Sequence, residues 1–203
     1  MTNQIILKKN REESVLRFHP WIFSGAISKI TGNPKDGDDV EVFSDSGKYL
    51  AYGHYYSSSI AVKIYSFKKV ENLSLLWKEK LTKAIHLRKD LGYFDHTGTN
   101  AFRIVNGEGD FIPGLIVDKY NKTLVIQCHS VGMYRNIDVF SSILKELIPD
   151  TISIYDKSTA VLKKIGENSL IDSFLYGNQA VNDITENNQK FYIDTVGGQK
   201  TGF

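Results

Sequence analysis

Residues 17–27 read Arg-Phe-His-Pro-Trp-Ile-Phe-Ser-Gly-Ala-Ile and combine a cation, an imidazole and three aromatic rings around one proline. The proline fixes its own φ and pushes His19 toward an extended backbone, so a new element should begin rigidly at Trp21. In an extended element Trp21 and Phe23 point to one side and Ile22 points to the other. Aromatic rings beside a cation and an imidazole suit stacking on unpaired bases, with the cation near phosphate. The alternative is an aromatic pair in the core beside a turn.

The residues that flank this stretch predict a small β-barrel with few helices. The alternating runs 40–43 and 48–52 enclose the turn formers at 44–47, which is typical of a β-hairpin. Residues 60–67 alternate again, and only 24–30 could form a helix in this part of the chain. Several short strands separated by turns are the pattern of a barrel.

The hydrophobic period changes near Glu71. Apolar side chains from Leu73 to Ile85 follow steps of three and four residues, and Gly92 suits the end of a helix. The opposite face of this predicted helix carries four lysines: Lys78, Lys80, Lys83 and Lys89. We interpret this basic face as a solvated surface, with contact to RNA as the alternative.

A second strand-rich unit begins at Ala101. Its centre, residues 107–114, reads Gly-Glu-Gly-Asp-Phe-Ile-Pro-Gly, but no helical pattern follows, so we do not expect a nucleotide-binding loop there. The carboxylates Glu108, Asp110 and Asp118 could hold a hard cation. Acids flanked by glycine more often accept hydrogen bonds from nearby backbone, so we predict no metal site.

The remaining residues predict an α+β unit. The predicted order is strand, strand, helix and strand, at 115–120, 123–129, 133–148 and 152–155. Residues 166–189 lack periodicity and predict a linker with one short strand. A last strand is predicted at 190–196, followed by a turn at Gly197 and Gly198.

Composition bounds the class of protein. The chain has 203 residues, 41% hydrophobic and 24% charged, which is ordinary for a globular protein of one or two domains. Net charge is only +2, but residues 1–35 carry six Lys and Arg against two Asp and Glu, and residues 61–91 carry eight against three. Such clustering can form a basic face on a nearly neutral protein.

Cysteine usage and hydropathy predict the compartment. The single cysteine, Cys128, excludes a disulfide within the chain, so a reducing environment fits best. No run approaches about 18 consecutive apolar residues, and the N-terminus lacks the pattern of a signal peptide. We therefore expect a cytoplasmic protein that does not bind a membrane.

Four motifs carry a resemblance to a known family. They are the run 7–26, which includes the aromatic stretch, Arg-Ile-Val-Asn-Gly-Glu-Gly-Asp-Phe-Ile-Pro-Gly-Leu-Ile-Val-Asp at 103–118, Ser-Ile-Tyr-Asp-Lys-Ser at 153–158, and Gln-Lys-Thr-Gly-Phe at 199–203. In this order they resemble the N-terminal part of PUA-containing, S-adenosylmethionine-dependent methyltransferases of 23S ribosomal RNA, the cytosine-C5 class. The resemblance covers essentially the whole chain.

The resemblance implies a mixed β and α+β architecture. Residues 1–70 would form a PUA-like β-barrel that binds RNA, 71–92 a linker helix, and 93–180 a small α+β domain. Residues 188–203 would be the first hairpin of a Rossmann-like methyltransferase domain. Because that family's cofactor loop and catalytic cysteines come later, we expect a chain that lacks the catalytic domain.

The resemblance also implies an RNA-binding surface. We expect it to use basic groups on phosphate and aromatic rings against bases, from Lys8, Arg11, Arg17, His19, Trp21, Phe23, Ser24 and Gly25. Gln199, Lys200 and Thr201 match the family's segment near the active cleft of the parent enzyme. The expected partner is 23S ribosomal RNA, and a homodimer stays open.

The chemistry of cytosine-C5 methylation is not expected from these residues alone. It needs a thiolate that adds to the ring and a bound S-adenosylmethionine, and the sequence lacks both a paired thiol and a glycine-rich turn that leads into a helix. We therefore predict no catalytic residue and no cofactor for this chain, with S-adenosylmethionine in the parent enzyme. The alternatives are a stand-alone RNA-binding module and a protein-interaction scaffold.

Overall fold

The computed structural model describes residues 3–96, 98–166, 169–180 and 183–198. The chain mixes α and β structure and divides into two compact units, Met1–Leu73 and Ser74–Phe203. Among the helices of the described residues, none has both the length and the apolar character needed to cross a membrane.

The first unit is built around one sheet. Its elements are strand β1 (Asn3–Leu7), helix α1 (Glu13–Leu16), strand β2 (Trp21–Phe23), a 3-10 turn (Ser24–Ala26), and strands β3 (Ile27–Thr31), β4 (Asp39–Phe43), β5 (Tyr49–Tyr55) and β6 (Ile60–Ser66). Within the described residues the six strands pair in the order β2-β6-β5-β4-β1-β3. All neighbours are antiparallel except β1 and β4, which run parallel.

This sheet curls into a half-barrel because its two outer strands are joined by a short link. Only the 3-10 turn Ser24–Ala26 separates β2 from β3, so the chain between Phe23 and Ile27 spans at most about 14 Å. A flat sheet of six strands would place its outer strands about 24 Å apart. Curling brings the outer strands close enough for the turn to connect them.

The core of the first unit follows from the period-2 pattern. Alternate residues of the strands point inward and are fully or almost fully buried, among them Ile5, Leu7, Val40 and Val42. The predicted hairpin at 40–52 is confirmed as β4 and β5.

The second unit packs helices on a mixed sheet. It contains helix α2 (Leu73–Asp90), strand β7 (Ala101–Asn106), a 3-10 turn (Gly107–Asp110), strands β8 (Leu115–Tyr120) and β9 (Thr123–Cys128), helices α3 (Val131–Tyr134) and α4 (Ile137–Leu147), strand β10 (Ser153–Asp156), helix α5 (Thr159–Leu162), a second 3-10 turn (Lys163–Ile165), and strands β11 (Ser173–Tyr176), β12 (Asp183–Glu186) and β13 (Gln189–Tyr192). Five of these strands pair as β11-β10-β9-β8-β7, and β12 pairs with β13.

The predicted order of strand, strand, helix and strand is present in this unit. Strands β9 and β10 run parallel, and parallel neighbours need a crossover, which α3 and α4 supply. Helix α2 packs against α4 through Trp77 and Phe140, whose ring centroids lie 5.3 Å apart, edge to face. The indole Nε1–H of Trp77 donates to Oδ1 of Asn136 at 3.1 Å.

Two local predictions were wrong. The stretch 24–30 forms a 3-10 turn followed by β3 instead of a helix, because its residues extend the sheet beside β1. Residues 166–189, predicted as a linker with one short strand, contain β11 and β12. The last hairpin turns at Asn187 and Asn188, which have φ values of 49° and 64°. Asparagine tolerates this left-handed backbone well. The turn makes β13 begin and end earlier than the predicted strand at 190–196.

Candidate nucleic-acid interface

A tight turn connects α1 to β2 and carries two of the predicted RNA-binding side chains, Arg17 and His19, together with Phe18. Val15, only 2% exposed, anchors α1 in the core. The N–H of Phe18 donates to the carbonyl of Val15 at 2.9 Å, and the N–H of His19 donates to the carbonyl of Ser14 at 2.9 Å. These bonds close the helix end, with Phe18 at a left-handed φ of 63°. Arg17, Phe18 and His19 are therefore held at the surface.

The His-Pro-Trp sequence is locked to the neighbouring strand. The carbonyl of Pro20 accepts a hydrogen bond from the N–H of Ile64 at 2.7 Å. Nδ1 of His19 lies 3.1 Å from the backbone nitrogen of Trp21 and 3.2 Å from its carbonyl oxygen, so it accepts from the N–H in one tautomer and donates to the carbonyl in the other. The imidazole and the indole lie 6.0 Å apart between ring centroids, with their planes at 79°. The proline thus fixes the direction in which the two rings leave the backbone.

Strand β2 places its aromatic side chains away from the core. Ile22 is 2% exposed and lies opposite Val62, whereas Phe23 is 51% exposed and Trp21 is half-buried. Trp21 lies directly opposite Lys63 on β6, and directly opposite residues share a face of the sheet. The alternative of an aromatic pair inside the core is therefore not what the structure shows.

A second group of predicted residues lies around the 3-10 turn. The ammonium of Lys8 donates to the carbonyl of Gly25 at 2.9 Å, and the backbone N–H of Lys8 donates to the carbonyl of Ala26 at 2.8 Å. Arg11 belongs to the same turn as Lys8, since its N–H donates to the Lys8 carbonyl at 3.1 Å. Ser24 and Gly25 are exposed. The structure thus brings Lys8, Arg11 and Gly25 together.

The cations of this surface are held only by weak partners. Arg17 forms an ion pair with Glu13 at 2.6 Å, and the two side chains are 77% and 72% exposed. Ion pairs exposed to this degree contribute roughly 0–1 kcal/mol, so a phosphate can replace the carboxylate at little cost. Gln199, Lys200 and Thr201 lie outside the described residues, and their predicted role near an active cleft stays a prediction.

Two side chains that the sequence prediction omitted belong to this surface. Phe18 is 63% exposed and packs edge to face on Phe67, with 5.1 Å between ring centroids. Lys63 lies opposite Trp21, with its ammonium over the ring of Tyr56 at 5.4 Å. The position of Phe18 beside His19 was a signal in the sequence, but the pairing of β2 with β6, which places Lys63, had no local signal.

Two of the three carboxylates considered for a cation, Asp110 and Asp118, bind arginines. Asp110 is held by Arg88, with 2.9 Å between Nη2 and Oδ2, and Asp118 by Arg103, with 2.8 Å between Nε and Oδ1. Asp110 also accepts a hydrogen bond from the backbone N–H of Asn106. In the described ranges no three His, Cys, Asp or Glu side chains are close enough to form a metal site.

The only thiol of the chain has no nucleophilic character. Cys128 is fully buried in β9, and burial raises the pKa of its thiol far above the usual value, assisted by the negative charge of Asp156. A catalytic cysteine needs the opposite, a lowered pKa and access to substrate.

The described residues do not fit S-adenosylmethionine. Its binding usually uses a strand, a glycine-rich turn and the N-terminus of a helix. The turn Gly107–Asp110 has the glycines, but it connects two antiparallel neighbours, β7 and β8, without a helix. We therefore derive no catalytic step from these residues.

The lysines on α2 interact mostly within their own unit. Lys78 pairs with Glu146 and Lys83 with Glu79, and the ammonium of Lys80 donates to the carbonyl of Phe111 at 2.8 Å. Burial lowers the pKa of Lys80 to about 8, with the nearby charge of Lys83 adding to the effect. Three of the four lysines thus have partners within the second unit, and the interpretation of this face as a solvated surface stays a prediction.

The comparisons with known proteins agree with this description of the first unit. A family model described as a PUA-like domain matches residues 5–67. Along its whole length the chain is homologous to proteins named ribosomal RNA large subunit methyltransferase I. It is 36% identical over 206 residues to that of Vibrio campbellii and 34% identical over 206 residues to that of Alteromonas mediterranea. Each alignment covers 100% of this chain and 51% of the relative, so the chain spans about half the length of these proteins.

Solved structures show the same fold at low sequence identity. A Streptococcus mutans protein described as a SAM-dependent methyltransferase superposes with a TM-score of 0.77 at 19% identity, over 97% of this chain and 50% of that one. A second protein, described as a methyltransferase in complex with SAH, gives a TM-score of 0.81 at 19% identity over 100% of this chain and 50% of that one. At this identity the likeness concerns the fold.

Proposed function

We propose that this chain is the RNA-binding, substrate-positioning part of an S-adenosylmethionine-dependent ribosomal RNA methyltransferase that acts on cytosine C5 of 23S ribosomal RNA. The observation that carries the proposal is the outward display of Trp21 and Phe23 beside exposed cations, with Ile22 alone turned into the core. A strand that presents aromatic rings to solvent offers faces on which unpaired bases can stack. The homology to ribosomal RNA methyltransferases supports the choice of RNA as partner.

In the proposed surface, basic side chains contact phosphates and aromatic side chains contact bases. Lys8, Arg11 and Arg17 are exposed and suit contact with phosphates, which supplies affinity without sequence preference. Trp21 and Phe23 suit contact with bases. We propose the same contact for Phe18, since its ring is the most exposed of the three.

In this proposal the methyl transfer itself belongs to other residues. Cys128 is buried with a raised pKa, and the turn at 107–110 leads into no helix. The relatives are about twice as long as the segment that this chain matches, so we propose that their unmatched half corresponds to the catalytic part. The chain alone is then inactive, and S-adenosylmethionine would supply the methyl group in the parent enzyme.

The proposal is tested by titrating the chain with a structured fragment of 23S ribosomal RNA at about 50 mM and about 200 mM salt. Binding through phosphates must weaken steeply as salt rises, because counterions are released. Arg17→Ala should lower the affinity and reduce the slope of log K against log salt by about 1. The unfolding midpoint should not change, since Arg17 and its partner Glu13 are both exposed.

Lys48→Ala is the matched control. Lys48 is also exposed in the first unit, but it lies in the β4–β5 turn, and β6 separates both of these strands from β2 in the sheet. Its substitution should leave the affinity and the salt slope unchanged. If Arg17→Ala and Lys48→Ala behave alike, or if the RNA does not bind at all, the proposed surface is wrong.

A further inference from the structure

The second unit contains a cleft of about 500 Å³ between the C-terminal end of α2 and the outer strand β7. This volume lies within the range of about 300–1,000 Å³ that is typical of small-molecule sites. Three parts of the fold line it: the end of α2 with the turn that follows, strands β7 and β8, and the end of β12. The cleft lies entirely within Ser74–Phe203.

One wall of the cleft is apolar and exposed. Leu87, Leu91 and Tyr93 are 48%, 63% and 44% exposed, although each is a large hydrophobic side chain. The ring of Tyr93 lies 5.3 Å from that of Phe102 between centroids, with the two planes only 36° apart. Single exposed hydrophobic residues are common, but a group of them that lines a concave site indicates a ligand. Two aromatic rings in that wall, tilted by 36° to each other, favour a flat aromatic ligand that can pack on an exposed ring face.

The opposite wall is polar and rigid. The guanidinium of Arg103 binds Asp118 through two hydrogen bonds, at 2.8 Å from Nε and 3.2 Å from Nη2, and a third reaches Asn106. Arg88, bound to Asp110, also donates from Nε to the carbonyl of Arg103 at 3.1 Å. Both cations are paired with carboxylates and Glu186 also lines the cleft, so the site has no net positive charge. It therefore suits a neutral group with hydrogen-bonding edges better than a phosphate.

The Arg103 side chain is nevertheless accessible. It is 39% exposed, whereas its partner Asp118 is 5% exposed. The hydrogen bonds to Asp118 raise the pKa of Arg103 further, so its charge and planar form are constant. A fixed guanidinium plane that solvent reaches can stack on a flat ring without losing side-chain entropy on binding.

One ring, Phe94, connects a cation to the lining of the cleft. Lys89 is exposed, and its ammonium lies 5.6 Å from the ring centroid of Phe94. Phe94 packs edge to face on Phe102 of the cleft wall, with 5.1 Å between ring centroids. A flat neutral group in the cleft and an anionic group near Lys89 together describe a nucleotide.

We propose that this cleft binds one unpaired nucleobase of RNA, stacked beside Tyr93 and Phe102, with its phosphate near Lys89. The inference rests on the proposed function in taking RNA as the ligand, but it uses none of the residues of the first unit. It adds a second RNA contact, specific for a base that is not paired.

The test uses the full chain labelled with nitrogen-15 and hexauridine as the probe, since this oligonucleotide has no secondary structure. Titration should shift the amide resonances of Tyr93, Phe102 and Arg103 saturably. Tyr93→Ala should raise the dissociation constant obtained from these amide shifts at least about fivefold, because one base-stacking ring is lost. Arg103→Lys should also raise it, since lysine keeps the charge but loses the plane.

Two controls separate this inference from the proposed function. Tyr192→Ala removes another exposed tyrosine of the second unit, which does not line the cleft, and should leave the amide shifts unchanged. Arg17→Ala should also leave them unchanged, although it weakens binding of the ribosomal RNA fragment.

The outcomes are distinguishable. Shifts confined to the first unit would overturn the cleft and leave the proposed function intact. Saturable cleft shifts that survive both Tyr93→Ala and Arg103→Lys would also overturn it. If a short phenylalanine-containing peptide shifts the cleft amides and hexauridine does not, the cleft binds protein, and the inference is wrong.

Discussion

At the scale of single residues, Phe18 combines a left-handed backbone with an exposed aromatic ring. A bulky residue with φ of 63° is strained by roughly 1–2 kcal/mol relative to an ordinary helical or extended backbone, and such strain tends to occur at functional sites. The ring is 63% exposed, with Phe67 beside it. Neither burial nor backbone preference explains a phenylalanine here, which agrees with the proposed stacking of its ring on a base.

Phe18→Gly should therefore separate stability from binding. Glycine relieves the left-handed strain but removes the contact with Phe67, which is worth about 0.5–1.5 kcal/mol, so the free energy of unfolding should change by no more than about 1 kcal/mol. The affinity for the ribosomal RNA fragment should fall at least about fivefold. Urea unfolding and an RNA titration measure the two quantities.

Phe111→Gly is the matched control for this substitution. Phe111 also has a left-handed φ, 56°, and an exposed ring at 53%, but it lies in the second unit, outside the lining of the cleft. Its change to glycine should relieve the same strain without affecting RNA binding. Equal losses of affinity in the two variants would contradict the role given to Phe18.

At the scale of elements, a polar cluster ties β4, β5 and β6 together. The hydroxyl of Tyr65 donates to Oδ1 of Asp39 at 2.5 Å, and Nε2 of the buried His54 lies 3.4 Å from the same oxygen. Burial by itself would raise the pKa of Asp39, but the hydrogen bonds from His54 and Tyr65 outweigh it, so the pKa is below 3.8. The ionised carboxylate is therefore the form that the fold prefers.

This lowered pKa predicts a dependence of stability on pH. The contribution of Asp39 is complete above the pKa of the unfolded state, about 3.8, and is lost as the pH falls through the lower pKa of the folded state. The urea midpoint of the chain should thus decrease between about pH 5 and pH 3, and it should decrease less for Asp39→Asn. Asp45→Asn, at the exposed β4–β5 turn, should show the same change of urea midpoint with pH as the unsubstituted chain. Identical pH profiles for Asp39→Asn and the parent chain would refute the assignment.

At the scale of the whole molecule, each unit has its own core. Leu7 is fully buried in the first unit and Leu124 in the second. A buried leucine changed to alanine typically costs about 2–5 kcal/mol, because it leaves a cavity. The loss of stability should be confined to the unit that contains the cavity.

Hydrogen exchange of backbone amides tests this expectation. Leu7→Ala should accelerate the slowest amides of the first unit and leave those of the second unchanged, and Leu124→Ala should do the reverse. If either substitution lowers protection equally in both units, the chain unfolds as one cooperative body and the two cores are not independent.

Local sequence patterns were enough to predict most of the individual helices and strands. The alternation around Ile22 predicted that Trp21 and Phe23 share one side of β2 and that Ile22 lies on the other, because the side-chain period of a strand is fixed by its backbone, but it left open which side is buried. The apolar stripe from Leu73 onward predicted α2 for the same kind of reason. The hairpins β4–β5 and β8–β9 followed from turn formers between short strands. These features depend only on residues close together in the chain.

The amino-acid sequence by itself therefore determined most of the short strands, the long helix and the aromatic and basic character of residues 17–27. Only the tertiary structure decided that β2 lies beside β6 and places Lys63 opposite Trp21, and that Arg88 and Arg103 neutralise Asp110 and Asp118 to form one wall of a cleft. The physical reason is sequence separation: these contacts join distant segments, and their formation depends on how the sheets curl and pack rather than on local backbone preference.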